Sequence, residues 1–256
     1  MKKALSVFVI LLSAISLYAG GFTVRKAFDF NTVNKINVSL TSENIIVSST
    51  KNSEIVIVVE TNKKDLIPEI EQADNTLQIK SNPSALESKV TCDVNIILPE
   101  QYTADSINLS TSYGKVSISK ISAKYVKIHP GVENTISNIK TDSFEVTNSD
   151  QADITINNLD CKTCIITRTA GSVKLSFAKA PTEESFVSTK QGTITVMIPR
   201  KENFTISADS FSSKLINKYT NAENADIRGG FTYQHNKGGA VIHLKTHTGD
   251  IIIDRN

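Results

Sequence analysis

The stretch "STSYGKVSISKI", residues 110–121, is a phrase that returns: "TRTAGSVKLSF" opens at Thr167, "STKQGTITVMI" at Ser188 and "KTHTGDIII" at Lys245. Each copy has a short polar run, a glycine, and apolar residues two and four places after it. Counting from Gly114, Gly171, Gly192 and Gly249, those places hold Val116/Ile118, Val173/Leu175, Ile194/Val196 and Ile251/Ile253. Seven and five places before the glycine stand Ile107/Leu109, Cys164/Ile166 and Ile242/Leu244, with Ser185/Val187 as the weakest case. Apolar residues at a period of two on both sides of a turn mark half-buried strands, because successive side chains of a strand point to opposite faces.

The four glycines are 57, 21 and 57 residues apart, and 57 divides into equal thirds of nineteen. Weaker copies fill the gaps. Ala152 is followed by Ile154 and Ile156, Gly229 by Phe231 and Tyr233, and Ser213 by Leu215, while the neighbourhood of Glu133 fits by its Val and Ile content alone. A step of about twenty residues predicts a stacked architecture in which no unit buries its apolar face alone. The period of two and the dense β-branched residues exclude a helical repeat, and the spaced leucines of a leucine-rich repeat are missing.

The predicted fold is therefore all-β, a β-solenoid of the single-stranded β-helix kind, with each coil pairing with the next at about 4.8 Å. Eight such coils would span roughly 35–40 Å. Gly114, Gly171, Gly192, Gly229 and Gly249 are expected to turn the corner with φ > 0. Upstream, "INVSLTSENIIVSS", "EIVIVVET" and "CDVNIILPE" alternate like strands, with Asn44 expected where later rungs have glycine. "KKDLIPEIEQADNTLQIKS" reads as an excursion that returns through a strand. Residues 20–100 thus form a less regular N-terminal β region, the start of the same sheet system with room for a flare into a small sandwich, ahead of the repetitive region 101–256.

Lys2 and Lys3 precede the apolar run "ALSVFVILLSAISL" and then Tyr18-Ala19-Gly20. That order of charge, apolar run and small residues predicts a signal peptide over residues 1–19, cleaved after Ala19. The run is shorter than the roughly 20 residues a membrane span needs, and no later segment is apolar enough to span. The mature protein is expected in the periplasm, at the cell surface or secreted. Of 28 Lys and Arg, two leave with that segment, which balances the 26 Asp and Glu. A near-neutral chain without clustered basic charge is not a nucleic-acid binder. Tryptophan is absent and aromatics make up only 6%, so Val, Ile, Ser, Thr and Asn dominate, which favours strands and turns.

A signal peptide, an N-terminal strand set ending in "VNIILPE", and repeated "STxxGxVxI" rungs together resemble a family of bacterial envelope domains called putative adhesins. "STKQGTITVMIPRKENFTISADSFSSKLIN" and "IHLKTHTGDIIIDRN" resemble that family's C-terminal half most closely. The resemblance covers nearly all of the mature chain. It implies a single-stranded β-helix and a binding role, and it brings no catalytic residue with it.

Cys161 and Cys164 form C-x-x-C. Cys164 occupies an inward place of its rung, so a small buried hydrophobe is the first reading. A turn-closing disulfide between the two is the second, since export permits oxidation. Zinc would want a second ligand pair, which Cys92 alone does not supply. His243 and His247 fall on outward places of the last rung, two ligands without a third. Asp105, Asp142, Asp160 and Glu183 lie nine to eleven residues before their rung positions. They would form a carboxylate column along one corner, suited to a calcium ion or a β-helical carbohydrate-active enzyme, unless they serve turn chemistry. Lys124, Lys140 and Lys162 interrupt that column. No Ser-His-Asp signature, phosphate loop, cofactor motif or metal-binding helix appears. The expectation is a non-enzymatic envelope protein presenting a polar Ser/Thr/Asn-rich flank to a glycan or another envelope component. A carbohydrate-active enzyme and a structural spacer are the alternatives. Asp250 and Asp254, flanking a final strand with nothing beyond it, are expected to keep the protein monomeric.

Overall fold

The structure is a computed structural model that describes residues 11–18, 21–82, 91–132, 134–148, 152–211, 214–224, 227–228 and 230–256. Its strands are β1 (Leu11–Tyr18), β2 (Gly21–Phe28), β3 (Lys35–Leu40), β4 (Asn44–Thr50), β5 (Ile55–Thr61), β6 (Glu69–Ala73), β7 (Thr76–Lys80), β8 (Cys92–Pro99) and β9 (Ala104–Thr111). Three long strands follow: β10 (Val116–His129), β11 (Asn134–Asn148) and β12 (Ile154–Ala170). Then come β13 (Val173–Phe177), β14 (Ser185–Gln191), β15 (Ile194–Ile198), β16 (Phe204–Ser210), β17 (Leu215–Asn217), β18 (Ala222–Asn224), β19 (Phe231–His235), β20 (Val241–Thr248) and β21 (Ile251–Arg255). A single 3-10 turn, Lys64–Leu66, is the only helical piece among the described residues. The chain is a β-solenoid.

Each rung is a strand of a first sheet and a strand of a second sheet, and in β3/β4, β9/β10, β12/β13, β14/β15 and β20/β21 a corner of two to four residues joins them. The rungs stack in the order β7/β8, β3/β4, β9/β10, β10/β11, β11/β12, β12/β13, β14/β15, β20/β21 and β16/β17, paired in parallel throughout. Both sheets cross residue 100 without a break. β10, β11 and β12 serve both sheets, because each bends at one residue of left-handed backbone: Lys120 (φ 54°), Asn138 (φ 55°) and Asn158 (φ 58°). Asparagine tolerates that region better than most residues, and Asn158 Nδ2 donates to Asn138 Oδ1 at 2.7 Å, one coil to the next.

The repeating apolar places all point into the stack. Ile107, Cys164 and Ile242 on the first sheet, and Val116, Val173, Ile194 and Ile251 on the second, are at most 1% exposed. Fully burying such an aliphatic side chain stabilises by about 1.5–3 kcal/mol, and the stack repeats the gain at every rung. The glycine corner is where coils touch backbone to backbone. A β-carbon on Gly114 would lie 1.9 Å from Glu43 O, on Gly192 2.3 Å from Gly171 O, and on Gly249 2.2 Å from Gly192 O. Three places before the glycine, a buried threonine fixes this approach. Thr111 Oγ1 donates to Glu43 O at 3.1 Å, Thr189 Oγ1 to Gly171 O at 3.2 Å and Thr246 Oγ1 to Gly192 O at 3.1 Å.

Several expectations need correction. Asn44 does not replace the rung glycine; pairing of Ile45 with Val116 puts Glu43 in that column. Glu43 is 1% exposed, and its carboxylate accepts from Thr41 N, Ser42 N and Ser81 Oγ. Asn44 instead accepts from Lys115 N and donates to Asp93. The N-terminal region supplies two more parallel rungs, β3/β4 and β7/β8. The antiparallel strands β5 and β2 continue the second sheet and β6 edges the first. The final strand is not terminal either: β21 lies between β15 and β17. After β15 the chain runs out to build β16 and β17, turns back through β18 and β19, and returns to insert β20/β21 inside the stack. The 57-residue interval after Gly192 is therefore an excursion and a return, whereas the interval before Gly171 does hold two ordinary coils, starting near Asn134 and Ile154. Glu133, Ser213 and Gly229 lie outside the described residues, as do residues 1–10 and 19–20 of the segment read as a signal peptide. Residues 11–18 pair antiparallel with β2.

Candidate functional site

The carboxylates expected in one column fall into two, and lysines alternate with them. Register places Asp105 beside Lys124, Lys124 beside Asp142, and Asp142 beside Lys162, with Glu183 next. Lys124 Nζ is 2.6 Å from Asp105 and Lys162 Nζ is 3.0 Å from Asp142. Asp160 belongs to the adjacent column, opposite Lys140 and 3.3 Å from Lys179. Spacing in sequence merged the two columns because they lie only two residues apart at the corner, with the buried Thr141 and Cys161 between them. The hydrogen bond that Lys124 donates to Asp105 raises its ammonium above the ordinary pKa, and the one that Lys162 donates to Asp142 does the same. These acids are countercharges of a ladder, each next to a cation, and they do not converge as a catalytic pair would.

Cys92, Cys161 and Cys164 are all buried and unbridged in the structure. Burial raises the Cys92 thiol to about 12 and pushes Cys164 well above its ordinary value. A thiol held protonated is neither nucleophile nor metal ligand. No group of three or more His, Cys, Asp or Glu among the described residues could hold a metal ion. Nor is any helix among them long and apolar enough to cross a membrane.

Sequence reasoning placed His243 and His247 outward, and they are outward, but it missed their neighbours. The ring of His243 lies on Phe186 with centroids 4.7 Å apart and planes 7° apart, and its Nε2 meets Glu184 Oε1 at 2.7 Å. His247 stacks on Phe211 at 4.9 Å and 12°. Phe186 and Phe211 stay 44% and 63% exposed, so these flat ring pairs stand on the outside of the first sheet. The signal was in the register: Phe186 faces His243 only once the 57-residue excursion is removed.

The outer face of the second sheet is different. Ser117, Thr135 and Thr155 stand opposite one another on successive rungs, and Ser119, Ser137 and Asn157 form the next row. With a rise of about 4.8 Å per rung, small hydroxyl and amide groups form a regular, nearly uncharged strip, extended by Lys174 and Thr195.

No curated protein sequence matches the chain significantly. Among solved structures, a putative cell adhesion protein from Clostridium sporogenes is 15% identical, with 91% of this chain and 99% of that chain covered and a TM-score of 0.43. A putative adhesin from Parabacteroides distasonis is 10% identical, with 90% and 96% covered and a TM-score of 0.45. A further putative adhesin, from Bacteroides fragilis, is 11% identical over 91% and 96%, with a TM-score of 0.41. The rungs from β9/β10 onward, with Gly114, Gly171, Gly192 and Gly249, fall within a stretch, residues 85–254, that matches the profile of Toastrack DUF4097, and the chain belongs to that family.

Proposed function

We propose that this protein is an exported, non-enzymatic envelope protein, an adhesin-like scaffold that binds a glycan or another envelope component along the outer faces of its solenoid. The observation that carries the reading is the register of the second sheet, which sets Ser117, Thr135 and Thr155 in one outward row. Hydroxyls in a flat array give and accept hydrogen bonds along an extended ligand, and the rigid stack offers them without an ordering cost. The alternating lysines and carboxylates of the corner support the non-enzymatic part, since paired acids have no free role as proton donor or nucleophile. With residues 1–19 removed, β2 becomes the edge of the second sheet, where Arg25 and Lys26 discourage strand addition; the protein then works as a monomer.

The test is a glycan array probed with the purified protein and with the Thr135→Glu and Thr155→Glu variants. These positions face outward, so both variants should keep the parent's melting temperature and lose the glycan signal. Undiminished binding by both folded variants would move the binding surface elsewhere.

A further inference from the structure

At the N-terminal end of the second sheet a cleft of about 630 Å3 opens between Arg25 on β2, the loop Thr50–Glu54, Val56 on β5, Ile97 on β8, and Gln101. Its floor is apolar for a reason visible in the register. Ala27 pairs with Val56, and Val56 with Ile97, in a row that points away from the core. Val56 is nevertheless only 4% exposed, because the loop folds back over the outer face. That loop is held in place: Asn52 N and Glu100 N both donate to Thr50 O at 2.9 Å, and Asn52 Nδ2 donates to Glu54 O at 2.6 Å. Asn52 Oδ1 is buried beneath the loop, so Asn52 shapes the wall and does not face a ligand. The size lies in the range of small-molecule sites, and an apolar floor with a few convergent polar groups is their usual composition.

We infer that this cleft binds an acidic sugar unit, a pyranose carrying one carboxylate. The inference rests on the glycan-binding reading above and deepens it. Charge complementarity decides the class. Neither Arg25 nor Lys51 makes an ion pair with a carboxylate among the described residues, unlike the lysines of the corner ladder, so both cations face the cleft rim with charge to spare. Glu54 on the same wall opposes a doubly charged phosphate or a polyanion, and it accepts hydrogen bonds from hydroxyls. One carboxylate on the guanidinium fork, a ring face on Val56 and Ile97, and hydroxyls on Ser53, Glu54 and Gln101 match the groups that line the cleft.

The experiment is calorimetric titration of the purified protein with a uronic-acid disaccharide, its carboxyl-reduced neutral counterpart, and inorganic phosphate. The uronate should saturate one site, with the neutral sugar about tenfold weaker or more, as loss of a charge-assisted bond requires, and phosphate weaker because Glu54 opposes its second charge and it has no ring face for Val56 and Ile97. Arg25→Gln and Lys51→Gln, both at exposed positions, should keep the parent's melting temperature and weaken the uronate about tenfold without changing the neutral sugar. Absence of uronate saturation, equal binding of the neutral sugar, tighter binding of phosphate, or variants that bind as the parent does would each overturn the inference. Glycan-array binding separates the two readings. If Arg25→Gln keeps every signal and Thr135→Glu loses them, the cleft falls and the hydroxyl face stands. If Arg25→Gln loses only the acidic glycans, the cleft is their site.

Discussion

At Gly192 two demands coincide: a β-carbon would lie 2.3 Å from the carbonyl oxygen of Gly171, and the backbone sits at φ +137°. They coincide again at Gly249, 2.2 Å from Gly192 O with φ +136°, and separate at Gly114 and Gly230. Gly114 has the close approach, 1.9 Å to Glu43 O, without a left-handed φ, and Gly230 has φ +79° with nothing within 4 Å. Alanine at Gly230 should therefore cost only the backbone term, about 1–2 kcal/mol. At Gly114 it should cost about 1–3 kcal/mol of overpacking, and at Gly192 the largest of the three, about 2–5 kcal/mol. Urea denaturation of the three variants gives the order; Gly114→Ala as stable as the parent would show that the coils can part there. The glycines themselves were legible in the sequence as a repeat. Their cause was only half legible, since φ > 0 is a local property and the contact with the coil below is not. The threonine three places before the glycine was equally present in "STSYG", "STKQG" and "KTHTG", but its role depends on a carbonyl 18 to 68 residues away in sequence.

Strands were the easiest element to read, because inward and outward places alternate whatever the partner. Val173 is 1% exposed in β13, and Lys174 beside it points out. Val173→Asp buries an unpaired carboxylate, at a cost of several kcal/mol, and should unfold the stack, while Lys174→Asp should leave the melting temperature unchanged. Equal melting temperatures would mean that the register is wrong by one residue. Corners were harder. The bends at Lys120, Asn138 and Asn158 carry no glycine, and the acids near them were assigned to one column when they occupy two. The alternation of Asp105, Lys124, Asp142, Lys162 and Glu183 predicts that Lys162→Glu, which puts like charges on three successive coils, lowers the melting temperature at low ionic strength. These groups are exposed, so the difference should shrink as salt is raised. A deficit that persists at high salt would mean that Lys162 acts through packing and not through charge.

Across the whole molecule, the order of rungs along the stack departs from the order of the chain, and no local pattern carries that information. The interval between Gly192 and Gly249 equals the interval between Gly114 and Gly171, yet the first is an outward excursion with a return and the second is consecutive coils. Insertion of β20/β21 gives the last residues an unusual weight. Ile251 pairs with Ile194 on one side and Leu215 on the other. Asp250 Oδ1 accepts from Lys214 N at 3.1 Å, and Asp254 Oδ2 meets Lys218 Nζ at 2.6 Å. The two aspartates therefore join neighbouring rungs, and they do not guard an open edge. Replacing both with valine should loosen β17 from β21 and lower stability, with no gain in end-to-end association by light scattering. Deletion of residues 251–256 is the sharper test. In a stack built in chain order it would trim one terminal strand and leave the other rungs nearly as stable as before. Here it removes the strand on which both β15 and β17 depend, so the rung β16/β17 and the cap formed by β18 and β19 lose their support together. The truncated protein should melt at a markedly lower temperature, and limited proteolysis should cut first between residues 200 and 250. A truncated protein that keeps the parent's melting temperature and protease resistance would place β21 at the end of the stack after all.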